Sequence, residues 1–223
     1  MGKLLAISLM AALAAAGIAL MYAPLEPKGN KELRGPITVV TSDPVVEEQF
    51  VQYKKLLGES DYTAYSGHVY RVLTYALHFL GDVNHPKRDA IALALVHHDI
   101  GLWADEVLGY IEPSQVRGTD AAAALGWDAE QIQLVDDIIH WHHKTSPFEG
   151  LNADVVNAVM KADLVDFSIS ILSMGLPWAH TKTVVKAIPL AGFHTMLLWM
   201  PIKLKGLAGL PQGLMEFMSI FKR

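Results

Sequence analysis

Between Pro44 and Met174 the apolar residues recur at helical spacing, and this constrains the chain more than any other feature of its sequence. Tyr65, His68, Val69, Val72, Leu73 and Ala76 fall at i, i+3, i+4, i+7, i+8 and i+11, which is one face of a helix. Ile91, Ala94, Leu95 and His98 make a second stripe. Ile132, Val135, Ile138 and Ile139 make a third, and Val156, Val159, Met160, Asp163, Phe167 and Ile171 a fourth. No strand-like alternation follows Val40, and no repeat of fixed period appears. The spacing therefore predicts an all-α body.

Punctuation residues mark the expected boundaries. A first amphipathic helix is expected over residues 45–57. Pro86 suits the first turn of the helix carrying the second stripe, and Gly101 suits its end. Helices are expected over 114–125 and 129–144, parted at Gly126. A loop over 146–152 and a long helix over 153–174 follow, and Pro177 opens the next segment. Residues 24–44, rich in Pro, Gly and charge, read as a linker with one short extended piece at residues 37–40.

The two ends differ from this body. Residues 4–22 carry no charge, and as a helix they would be about 28 Å long, close to the thickness of a bilayer core. The segment is expected to be a membrane anchor spanning residues 1–23. A cleaved signal peptide, with a secreted or periplasmic product, is the alternative, but "MYAPLEP" offers a poor cleavage site. Lys28, Lys31 and Arg34 outnumber Lys3 on the other side, which favours a cytoplasmic domain tethered to the membrane. Residues 176–223 form an apolar extension whose stretch 187–202 is bracketed by Pro189 and Pro201 and is too short to span. Leu210, Leu214, Phe217, Met218 and Phe221 share one helical face. That face is expected to pack on the core, or else to lie on the membrane.

The chain has 52% hydrophobic residues, so disorder is excluded. A net charge of −5 without a basic block argues against nucleic acid as a partner. The absence of cysteine removes thiolate ligands and cysteine nucleophiles. The chemistry must then come from the polar residues that interrupt the stripes. His68, His98, Asp99 and Asp163 lie on or at the end of apolar faces, where burying them is costly unless something binds them. If the helices pack with these faces inward, two imidazoles and two carboxylates converge. Such N/O ligation suits zinc, iron, manganese or magnesium.

This ordered set resembles the HD domain superfamily of metal-dependent phosphohydrolases. The likeness rests on His68 in "YSGHVYRVL", the pair His98-Asp99 in "HHDIG", and Asp163 in "MKADLVD". Arg71, Ile100-Gly101 and Ala162 match in the surroundings, and the likeness covers residues 45–175. It implies an HD-type helical bundle that holds one divalent metal ion on His68, His98, Asp99 and Asp163. The implied activity is hydrolysis of a phosphate ester in a nucleotide or another small phosphorylated molecule. Asp99 would also orient the attacking water. Asp166, one turn beyond Asp163, would be a supporting partner or a base. His97 is expected to face a neighbouring helix.

A second cluster, "IIHWHHKTSPF", extends the third stripe toward the same centre. His142, His143 and Lys144 are expected to bind an anionic group of the substrate, with Tyr110 on the substrate wall. Two rivals come from other classes. One is an HD-type iron-dependent oxygenase or lyase, which a dinuclear site would favour. The other is a non-catalytic, membrane-tethered metal-binding module.

Overall fold

The computed structural model describes residues 35–220, and among these it contains ten helices and no strand. The candidate anchor at residues 4–22 lies outside the described residues. No helix within them is long and apolar enough to cross a membrane.

Residues 36–43 lead in without regular structure. The expected extended piece at residues 37–40 is not a strand. Its apolar side chains are partly buried on the core, and the Val40 amide donates to Thr74 Oγ1 at 3.0 Å. Helix α1, Pro44–Val51, starts where Asp43 caps the amides of Val45 and Val46. The other oxygen of Asp43 takes Arg88 Nη2 at 3.0 Å. Helix α2 is Lys54–Leu80, bent at Gly58, where φ of 71° suits glycine. The single helix expected over 45–57 is thus two pieces, turned at residues 52–53 and again at Gly58.

Helix α3, His85–His97, opens with Asn84 capping the Lys87 amide and Pro86 in the first turn, as expected. It is buried from Ala90 through His97 and forms the central element, with α1, α2 and the three later helices α5, α6 and α7 packed around it. The short α4, Gly101–Ala104, follows a tight turn over residues 98–100. Gly101 therefore starts a helix rather than closing one. Its amide donates to Ser114 Oγ at 3.1 Å, and an added Cβ would sit 2.8 Å from Tyr110 O. Close approach of the next segment explains the glycine there.

Helix α5 is Ile111–Ala124, and α6 is Ala129–Trp141, opened by a capping box between Asp128 and Gln131. These two pack closely at Gly118, where a Cβ would run into Ile139 Cδ1. Helix α7, Ala153–Phe167, stops short of the expected end at Met174. Ile169 and Ser170 take positive φ, and the Ser170 amide closes back on Val165 O at 2.7 Å. A β-branched residue at positive φ is uncommon, so nothing in the residue types announced this stop.

Pro177 caps α8, Trp178–Ala187. Helix α9, Phe193–Lys205, contains Pro201 instead of ending at it. Proline removes one helical hydrogen bond, and here Met200 and Pro201 are both buried. Helix α10 is Leu210–Ser219. Helix α9 packs on α2, and α10 packs on α9. The pairing that positions the site is α2 along α7.

Candidate metal centre

Four elements deliver the polar residues to one point. Helix α2 supplies His68, the turn after α3 supplies His98 and Asp99, the turn after α6 supplies His142 and His143, and α7 supplies Asp163 and Asp166. With Tyr110 and Lys144 these make nine side chains, none more than 7% exposed. Eight of the residues singled out from the sequence therefore meet at one buried cluster, while Lys144, also buried, directs its ammonium to Ile220 O.

The turn after α3 is held by Tyr65. Its hydroxyl donates to Val96 O at 3.0 Å and accepts from the Asp99 amide at 3.2 Å. Sequence reasoning placed Tyr65 only as an apolar stripe residue. The signal was present, since a phenol one turn before His68 on a buried face needs a polar partner.

The orientation of the imidazoles decides what the cluster can bind. His68 Nδ1 faces Asp166 Oδ2 at 2.8 Å, His98 Nδ1 faces Leu95 O at 2.6 Å, and His142 Nδ1 faces Ile139 O at 2.7 Å. Each of these oxygens is an acceptor, so each Nδ1 is the protonated nitrogen. In the neutral rings Nε2 is then a lone pair directed inward. His68 Nε2 and His98 Nε2 lie 3.1 Å apart. Asp163 Oδ1 is 3.3 Å from His68 Nε2, and Asp99 Oδ2 is 3.2 Å from His98 Nε2. Acceptors facing acceptors repel unless a cation or proton lies between them. Asp99 Oδ1 and His142 Nε2, 3.5 Å apart, are both buried without a hydrogen-bond partner.

A divalent ion fits this donor set. Nitrogen and oxygen ligands about 2.0–2.2 Å from zinc stand roughly 3–3.6 Å from one another, which is the spacing found here. Histidine ligands commonly give their other N–H to a carboxylate or carbonyl, as these three do. The residues form three overlapping groups with metal-binding geometry: His68, His98 and Asp163; His98, Asp99 and His142; and His142, His143 and Asp163. Each carboxylate presents one oxygen to each side. Asp163 Oδ2 is 3.4 Å from His143 Nδ1, whose Nε2 lies 2.8 Å from Tyr110 OH.

Electrostatics agree with a cation-seeking cluster. Burial disfavours a charged His68, but hydrogen bonds with Asp163 and Asp166 outweigh it and raise the imidazole to about 9. Burial would raise Asp99, yet the adjoining His98 and His142 hold it well below the usual carboxylate range. Asp163 is lowered as well, against burial, chiefly by its hydrogen bond with His68. Burial beside His142 depresses His143 to about 3. A metal ion would take the place of the proton on His68, so binding should release protons.

Asp166 stands behind the cluster. Arg71 Nε donates to its Oδ1 at 2.6 Å and Arg71 Nη2 to its Oδ2 at 2.9 Å, while Oδ2 also takes His68 Nδ1. Burial works against its charge, but His68 and Arg71 keep its carboxyl far below the ordinary range. Lys144 Nζ donates to Ile220 O at 3.3 Å, beyond the end of α10. Phe193, which opens α9, stacks on His68 with ring centroids 4.1 Å apart. The face of Leu210, Leu214, Phe217 and Met218 expected to pack on the core is only partly inward, since Leu214 and Met218 are exposed and Gly213 is the buried position of α10. The role of Phe193 was not evident in the sequence.

Comparison of the chain with protein-family models, with curated proteins and with solved structures finds no match.

His97 points away from the centre, as expected. Its Nδ1 bonds Leu93 O at 2.9 Å, and its ring meets Tyr53 edge-on. Burial lowers it to about 4. In the unfolded chain it titrates near 6.5, so the folded state resists a proton that the unfolded state accepts. The neutral ring therefore leaves stability intact above pH 6.5 and erodes it from there down to about 4. The slope from this residue is up to about 1.4 kcal/mol per pH unit. Denaturant titrations of wild type and His97→Leu between pH 7 and 4 should show the wild type losing stability relative to the variant on acidification. Parallel curves would contradict the assignment.

Proposed function

We propose that the chain is an HD-type metal-dependent phosphohydrolase acting on a nucleotide or another small phosphorylated molecule. The observation that carries this reading is the set of inward lone pairs on His68, His98, Asp99 and Asp163, in the motif order that resembles that superfamily. These four residues would hold one divalent ion, whether zinc, manganese, iron or magnesium. A divalent ion in such a site supplies an acidic bound water and polarises a phosphoryl oxygen.

The protein's own groups fit supporting roles. Asp99 carries a buried oxygen without a hydrogen-bond partner and can orient a water. Asp166 has both oxygens occupied, which suits positioning His68 better than accepting a proton from substrate. His142, whose Nδ1 donates to Ile139 O, presents a lone pair that suits a cation better than an anionic group, and His143 is backed by Tyr110, which leaves Lys144 as the candidate for the anion. Lys144 would exchange Ile220 O for that anion.

The full chain should contain one equivalent of divalent metal by elemental analysis. It should release phosphate from members of a panel of nucleotides and small phosphate esters, lose that release with chelator, and regain it with metal. Metal-free protein, or release indifferent to chelator, would overturn the proposal. A second reading has its own observation, since the far oxygens of Asp99 and Asp163 face His142 and His143. Two equivalents of magnetically coupled iron would favour an oxygenase or lyase.

A further inference from the structure

The metal centre is closed. None of its eight side chains, nor Lys144 beside them, is more than 7% exposed. A phosphate ester reaches such a site only if a covering element moves. The surrounding elements differ in how firmly they are held. Helices α2, α3, α6 and α7 pack on one another and build the core. The segment that opens α9 is pinned to the site itself. Arg71 Nη1 donates to Pro189 O at 2.9 Å, Phe193 stacks on His68, and His194 Nε2 donates to Asp166 O at 2.8 Å.

Helix α10 is held far less. Among the described residues its one extensive packing partner is α9, and Gly213 is the one position buried within it. It joins α9 through Gly206, at φ 66°, and Gly209, a connection that glycine leaves free to pivot. The ion pair across that connection, Lys205 Nζ to Glu216 Oε2 at 2.8 Å, is partly exposed and resists separation little. Elements with few buried contacts are the ones that open first.

Two contacts fasten α10 beside the centre. Gly213 lies against Leu108, two residues before Tyr110, where an added Cβ would stand 3.0 Å from Leu108 Cδ1. Seven residues on, Ile220 O accepts from Lys144 Nζ at 3.3 Å. This second contact occupies the ammonium assigned above to the substrate anion. A neutral carbonyl is a weaker partner for an ammonium than a phosphate oxyanion is. An anion that takes Lys144 therefore binds the open state better than the closed one, which is what allows a ligand to shift the balance.

We propose that α10 is a lid over the metal centre, pivoting at Gly206 and Gly209 and latched shut by Lys144 on Ile220 O. The latch is autoinhibitory, because the closed lid holds the group that the anion needs. The lid stands on the packing and fastening of α10, whereas its release by an anion rests on the phosphohydrolase reading.

The chain lacks cysteine, so pairs of spin labels can be placed without background. Val116→Cys on α5 is paired in the full chain with Met215→Cys on α10 or, as a fixed reference, with Leu198→Cys on α9, all at exposed positions. Distances are read by double electron–electron resonance. Two changes should open the lid without ligand: Lys144→Ala, which removes the latch, and Gly213→Leu, which wedges α10 off Leu108. Each should lengthen the 116–215 distance by several ångströms, leave the 116–198 distance as in wild type, and let a chelator strip metal several-fold faster. If neither variant moves 215 relative to 198, α10 is a fixed part of the fold and the proposal fails. Equal movement of 215 and 198 overturns it as well, since the pivot then lies elsewhere. Inorganic phosphate tests the release. It should give the wild type the same shift at 215 and add nothing in Lys144→Ala. Variants that open while phosphate leaves the wild type closed would uphold the lid and count against the phosphate reading of the site.

Discussion

Asp99→Ala is expected to empty the metal centre. Asp99 faces both histidine pairs, with Oδ2 toward His98 and His68 and Oδ1 toward His142 and His143. Its loss removes an oxygen donor from either arrangement of ions. Metal affinity should fall by more than the roughly 10–100-fold typical when only an outer partner of a ligand is lost. Asp166→Asn provides that lesser case, because Asp166 touches His68 from behind. Metal binding can be read without an activity assay. A ligand at 100 times its Kd stabilises the folded state by about 2.7 kcal/mol, so added metal should raise the wild-type Tm and leave that of Asp99→Ala unmoved. On the proposed function, metal-dependent phosphate release vanishes with it. An Asp99→Ala protein that keeps its full metal content and its thermal shift would show that the ion is held elsewhere.

The residues of this centre were legible because their chemistry conflicts with their setting. His68 on the stripe of α2 and Asp163 on the stripe of α7 are polar groups at positions that helical periodicity sends inward, and both are buried. The same periodicity accounts for the all-helical body, and Pro86 and Pro177 announce two of the helix starts locally. What it did not reveal depends on contacts between distant segments. The pairing of Arg71 with Asp166 spans 95 positions, and Phe193 reaches His68 from outside the stretch that resembles an HD domain. The stop of α7 rests on positive φ at Ile169 and Ser170, residues with no preference for it. His142 and His143 were expected to meet a substrate anion. Their proximity to the second oxygens of Asp99 and Asp163 follows from the turn after α6, whose path is set by packing against α3 and α7.

Arg71→Met should cost the most stability of any single change near the site without touching a metal ligand. Arg71 is fully buried, and its guanidinium is spent on three bonds: two to Asp166 and one, through Nη1, to Pro189 O at 2.9 Å. The pair itself need not contribute much, because desolvation of both ions opposes their attraction. Removing one member is different. It leaves Asp166 charged in a dry interior with His68 as its partner, and it strands the Pro189 carbonyl. Breaking a buried pair in this way costs about 3–5 kcal/mol. For a domain of this size each kcal/mol moves Tm by about 2–4 °C, so a fall on the order of 10 °C is expected in thermal unfolding. Arg71→Lys keeps the charge but loses the planar fork, and should fall between the two. The sign of the pH dependence follows from Asp166, whose folded carboxyl lies below its unfolded value. Its stabilisation is present above the unfolded value, about 3.9, and drains away as the pH drops below it. Adding Asp166→Asn to Arg71→Met removes the stranded charge and should recover part of the loss. If the double variant is as unstable as the sum of the two single ones, the pair is not the coupled unit described here.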